Sequence, residues 1–144
     1  MTYKDTRSAL IEHLLAELGE PGPLPPIMYD NAAFEAPNGL WLRVAFMPVE
    51  NRVATLSGHG QDEASGMLQI SVNVPMEYGT GEVYDMVDKI NAIFDAGAVL
   101  PYDNGTTEGY VFSDGAYASP AITLESFYSV PITIDWRSRR TRNQ

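Results

Sequence analysis

The sequence predicts an α+β fold: an antiparallel or mixed β-sheet packed by two main helices on one face, with one long flexible β-hairpin. Three observations predict it. Leu68, Ile70, Val72 and Val74 alternate with Met67, Gln69, Ser71 and Asn73, the period-2 pattern of a strand with one buried face. Just beyond, Val83, Val87, Ile90 and Phe94 form an apolar stripe at helical spacing. The elements run helix, strands, helix, strands, an order that favours helices gathered on one face of a largely antiparallel sheet.

The elements follow from local chemistry. Thr2-x-x-Asp5 resembles a capping box with Asp in place of Glu. Leu10, Ile11, Leu14, Leu15 and Leu18 continue a helical stripe, and Gly19 is a natural stop, so a helix is expected over 3–18. The prolines between Glu20 and Pro26 make a stiff connector. Ile27–Asp30 reads as a short strand and Asn31–Gly39 as a loop. Trp41–Met47 alternates again, and Val53–Leu56 continues it beyond a bend at Pro48. Ser57–Gly66 holds two acids and no sizeable apolar side chain, which marks it as the hairpin's flexible tip.

Pro75 ends the following strand because it cannot donate to a ladder. Thr80 is placed to cap the second helix, with Gly79 and Gly81 permitting a tight turn into it. Ala98–Leu100 and Gly109–Phe112 read as short strands around a turn. In Tyr128–Trp136, the residues Tyr128, Val130, Ile132, Ile134 and Trp136 point inward; Pro131 points outward, which suits an edge strand. The expected organisation is one domain over 1–137 followed by a basic tail over 138–144.

Composition narrows the chemistry. A chain of 144 residues can bury roughly 70% of its unfolded surface without staples. Without cysteine, disulfides, thiolate metal sites and cysteine nucleophiles are excluded. No apolar run approaches the roughly 20 residues that span a bilayer. Lys4, Asp5 and Arg7 stand where a signal peptide would need an apolar core, so synthesis in the cytosol is expected. Nineteen acids and five bases fall within residues 1–136, a net −14, while the last eight residues carry Arg137, Arg139, Arg140 and Arg142. Such an acidic body repels nucleic acid rather than gripping it.

No catalytic constellation emerges, and neither a cofactor nor a metal is indicated. Gly79-Thr80-Gly81 invites a phosphate or nucleotide reading at a helix N-terminus. It lacks both a third glycine at dinucleotide spacing and a Gly-Lys-Ser/Thr, and Glu77 and Glu82 put negative charge where phosphate would sit. His13 lies beside Glu12 and Glu17 on a helix and is expected at the surface. His59, Asp62 and Glu63 could loosely hold a cation, yet their spacing matches no ligand frame. Asp85 and Asp88 share a solvated helix face with nothing apolar to raise either pKa.

The order of features carries a resemblance. The opening helix and Pro-rich crossover are followed by Pro37-Asn-Gly-Leu-Trp-Leu-Arg-Val-Ala45, Pro48-x-Glu50 and Gly66-Met-Leu-Gln-Ile-Ser-Val72. Pro75 with Gly79-x-Gly81 and Tyr128-x-Val-Pro-Ile-Thr-Ile-x-Trp-Arg137 complete the set. Over about residues 1–137 it resembles the tail terminator proteins of long-tailed, siphovirus-type phages and prophages. The resemblance implies a structural, non-enzymatic protein of the virion, at the head-proximal end of the tail, assembled in the host cytoplasm. It implies a ring, typically a hexamer, that caps the tail tube, stops its polymerisation and docks head-completion or neck proteins, while DNA passes through without specific binding. The implied partners are further copies of the chain, the tube protein and the neck protein, with no membrane.

A closing ring needs two different surfaces on each subunit. The candidates are the hairpin, with Arg52, His59, Gln61, Asp62 and Glu63, and the edge and tail, with Pro131, Arg137, Arg139 and Arg140. A hairpin tip that is mobile in the monomer and orders on docking would delay assembly until a tube is present. Other readings are a different neck or tail-completion protein, a small anion- or nucleotide-binding enzyme using the Gly79-Thr80-Gly81 turn, and a generic dimeric adaptor domain.

Overall fold

The structure, a computed structural model, describes residues 2–19, 24–54, 60–103, 105, 108–124 and 126–141. Helix α1 spans Tyr3–Leu18 and α2 Gly81–Ile93. The strands are β1 Ile27–Tyr29, β2 Trp41–Val53, β3 Gln61–Pro75, β4 Val99–Asp103, β5 Glu108–Ala118, β6 Ile122–Thr123 and β7 Phe127–Thr141. They form one strongly curled sheet in the order β1-β2-β3-β7-β5-β4, with β6 also paired to β7. Among the described residues β1 and β2 run parallel and the other pairs are antiparallel.

Helix α1 begins with the reciprocal cap. Asp5 N–H donates to Thr2 Oγ1 at 3.1 Å, and Thr2 N–H donates to Asp5 Oδ2 at 3.0 Å. That satisfies two donors the first turn leaves without helical partners. Gly19 follows the last turn in an ordinary right-handed conformation. Thr80 is the residue before α2, but its side chain makes no capping bond; only its carbonyl is used, accepting from Tyr84 N–H. The cap expected of its hydroxyl is therefore corrected. Gly79 has φ +96°, a left-handed turn that a side chain would strain.

The core lies between the helices and one face of the sheet. Val44, Ile70 and Ile132 stand abreast on β2, β3 and β7, as do Leu42, Val72 and Val130, and Phe46, Leu68 and Ile134. All except Phe46 are almost completely buried, and Phe46 packs at the margin. Val83, Val87, Ile90 and Phe94 of the second helical segment and Leu10, Leu14 and Leu18 of α1 close over them. Each such side chain contributes on the order of 1.5–3 kcal/mol relative to exposure. His13 was expected at the surface, but it is half-buried between the helices. Its Nε2 lies 3.1 Å from the Ile93 carbonyl, and its ring meets Phe94 edge-on.

Two sequence-based boundaries move for a common reason. The polar stretch assigned to the hairpin tip is mostly strand, because Asp62–Ser65 pair with both β2 and β7. Its small residues serve crowding: Ala64 is fully buried, and a Cβ on Gly66 would collide with the Met47 carbonyl and come within 2.7 Å of Trp136 Cζ2. The remaining tip, residues 55–59, lies outside the described residues. The division at 137 also fails, since Ser138–Thr141 continue β7 beside Gln61–Ala64. Ser138 is buried, with its hydroxyl 3.1 Å from that of Thr6.

Pro131 is a further correction. β7 is an interior strand, and Pro131 is buried opposite Ser71. Its carbonyl accepts from Ser119 N–H, so its own missing N–H faces the same side. There residues 119–121 interrupt the pairing between β5 and β6. A proline is tolerated because no ladder acceptor awaits it.

Candidate functional site

The face of the sheet away from the helices is roofed at one end and open at the other. At the roofed end Trp41 packs against Phe34 and Phe127 at 5.1 and 5.4 Å between ring centres. Asn73 and Ser129 are buried beside that cover. Two register shifts then occur at one level of the sheet, between Pro48 and Glu50 on β2 and between Ser113 and Gly115 on β5. Bulges of this kind bend a strand and increase its twist. Beyond them the strands continue as an arm whose outer face none of the described residues covers.

That arm gathers most of the predicted residues. Glu63 sits at its centre with a side chain only 13% exposed, and three arginines converge on it. Arg52 Nη2 donates to it at 2.9 Å, Arg139 Nε lies at 3.6 Å and Arg137 Nη1 at 4.0 Å. Arg137 also donates through Nε to both oxygens of Asp114, at 2.8 and 3.0 Å. Its guanidinium lies 5.4 Å from the centre of the Phe112 ring, within cation–π range. Asn51 Nδ2 donates weakly to Asp62 at 3.4 Å. Hydrogen bonds to Glu63 and Asp114 raise the pKa of Arg52 and Arg137 above the ordinary guanidinium value.

Arg52, Glu63, Arg137 and Arg139 are thus brought together by the pairing of β2, β3 and β7, whereas Asp62 falls on the opposite face of β3, beside Asn51. Gln61 and Arg140 occupy ladder positions on the same strands, opposite Thr141 and Asp62. His59 lies outside the described residues. Pro131 stands apart in the buried centre of β7. The sequence reading missed Asp114, Phe112, Tyr110 and Val99. The Tyr110-Val-Phe112 alternation was visible, but Asp114 lies on the bulge where the period breaks.

A surface hollow of about 460 Å³ is lined by Pro101, Tyr102, Asp103, Gly109 and Tyr110, with a single carboxylate among the described residues. Among the described residues no group of three or more His, Asp or Glu could hold a metal, and Glu63 is already ion-paired with arginines. At the start of α2 the Tyr78 hydroxyl bonds to Glu82, which raises the tyrosine's pKa. That carboxylate occupies the helix end an anion would need. Among the described residues no helix is long and apolar enough to cross a membrane.

An α+β shell whose distinctive feature is a charged and aromatic sheet face has the build of a protein that works through contacts. The chain belongs to the phage tail terminator family: the family model described as phage tail terminator protein matches residues 5–136. Membership makes it a structural component of the phage tail and of virion assembly. A solved structure with 21% sequence identity, covering 96% of each chain, superposes with a TM-score of 0.72 and shows the same fold. The comparison with curated proteins gives no match.

Proposed function

We propose that copies of this chain close into a ring of six on the head-proximal end of a finished tail tube. The ring stops tube polymerisation and presents its other surface to a head-completion or neck protein, and the protein performs no catalysis. The family match across nearly the whole chain carries this reading. The fold supports it physically. The sheet ends in two edges of different make, β1 of three residues and β4 of five, and unlike edges suit the head-to-tail contacts that close a ring. A formal charge of −10 favours passage of DNA over adhesion to the ring wall.

Light scattering of the purified chain, with negative-stain images in the presence and absence of tube protein, tests the proposal. Six-fold rings, free or seated on tube ends with the tubes held at fixed length, are the expected result. Unchanged tube growth with no ring in either setting would overturn it.

A further inference from the structure

The open arm of the sheet carries two rows of outward side chains. Val99, Phe112, Arg137, Ser65 and Glu50 stand abreast across β4, β5, β7, β3 and β2; Arg139, Glu63 and Arg52 stand abreast beside them. Tyr110, 57% exposed, flanks Phe112 on the same face. The alternate residues Leu100, Val111, Ser138 and Ala64 point into the core, so among the described residues nothing from the same chain folds over this face. Tyrosine, phenylalanine and arginine, with charges already neutralised locally, are the composition of a protein contact rather than of a solvated surface.

The opposite layer supplies a complement. Val83, Val87 and Ile90 turn α2 inward, leaving Glu82, Asp85 and Asp88 exposed on its far side. A groove of about 280 Å³ there has Leu40 and Met86 in its lining with Glu82, Asp85 and Lys89 beside them. Apolar groups beside carboxylates suit the stem and head of an arginine, or the ring and hydroxyl of a tyrosine. The nitrogen of Lys89 is engaged by the Leu18 carbonyl at 3.3 Å.

We propose that the Tyr110–Phe112–Arg52–Arg137–Arg139 face of one copy docks on the outward face of α2 in a second copy, around Glu82, Asp85 and Met86. The inference rests on the ring reading and names its contact. Helix layer and outer sheet face lie on opposite sides of the molecule, so the contact is head-to-tail and repeats from subunit to subunit.

Two sets of variants test it in the full chain. Asp85→Lys with Asp88→Lys alters only exposed helix positions, and Tyr110→Ala trims an exposed ring. Each should weaken ring formation by at least about tenfold, read by sedimentation, with melting unchanged. Because the chain has no cysteine, Tyr110→Cys combined with Asp85→Cys should give, on oxidation, a ladder of linked subunits up to the closed ring. Rings as tight as wild type in both variants, or intact rings with no ladder, would overturn the contact while leaving the ring reading in place. Intact rings that no longer seat on tubes would assign the face to the tube protein instead. A wild type that forms no ring, alone or on tubes, would remove both proposals.

Discussion

Trp136 lies flat on Phe46, with ring centres 5.2 Å apart and planes 7° from parallel, and Gly66 makes room for it on the strand between them. A Cβ at Gly66 would come within 2.7 Å of Trp136 Cζ2 and 2.8 Å of Pro48 Cα. Neither neighbour is the far end of a flexible side chain. Gly66→Ala should therefore cost about 1–3 kcal/mol through overpacking, seen as a lower urea midpoint with a loss of near-ultraviolet tryptophan ellipticity. An unchanged midpoint would mean that the stack yields without strain.

The cap on α1 gives a pH signature. Hydrogen bonding from the Thr2 backbone, together with its side chain, lowers the pKa of Asp5 below the ordinary carboxylate value. A depressed folded-state pKa contributes stability in full above the unfolded value of about 3.9, and that contribution fades as pH falls through the folded value. Thr2→Ala should cost about 1 kcal/mol near neutrality. Asp5→Asn should show a flatter loss of stability on acidification than the wild type, measured as urea midpoints from about pH 7 to about pH 3. Parallel curves for the two proteins would contradict this.

Ser113 holds the end of α2. Its buried hydroxyl donates to the Phe94 carbonyl at 3.0 Å, one of the orphan acceptors a helix leaves at its C-terminus. Ser113→Ala would strand that carbonyl and should cost about 1–3 kcal/mol. Faster amide exchange in the last turn of α2 would accompany the loss, whereas uniform acceleration would point to a global effect.

Glu63 separates three guanidinium groups. Glu63→Gln should lower the melting temperature mainly at low ionic strength, where the repulsion among Arg52, Arg137 and Arg139 is least screened. The difference from wild type should shrink toward zero in about 0.5 M salt. A salt-independent loss would instead indicate a packing role for the carboxylate.

Local patterns were legible and distant pairings were not. The limits of α1, its reciprocal cap and the buried stripe Val83–Val87–Ile90–Phe94 match the structure, because each depends on residues within a few turns. The bend near Pro48 likewise appears as a register shift. By contrast, Arg139 and Arg140 resembled a solvated tail because their partners, Glu63 and Asp62, lie on a strand far away in sequence. Pro131 pointed to an edge because nothing nearby in sequence shows that the pairing of β7 with β5 and β6 is interrupted at residues 119–121. Asp114 went unnoticed as the partner of Arg137 because a bulge shifts the alternation that located Phe112.

The position of β7 has a consequence for biogenesis. It is the last of the described strands, yet it is the seam on which β3, β5 and β6 all depend. Until residues 127–141 emerge from the ribosome, β3 presents a bare hydrogen-bonding border fifteen residues long, the kind of template that invites association with other nascent chains. Folding of this protein is therefore held back until translation has passed its centre strand. Premature termination anywhere upstream would release a half-sheet rather than a smaller working subunit.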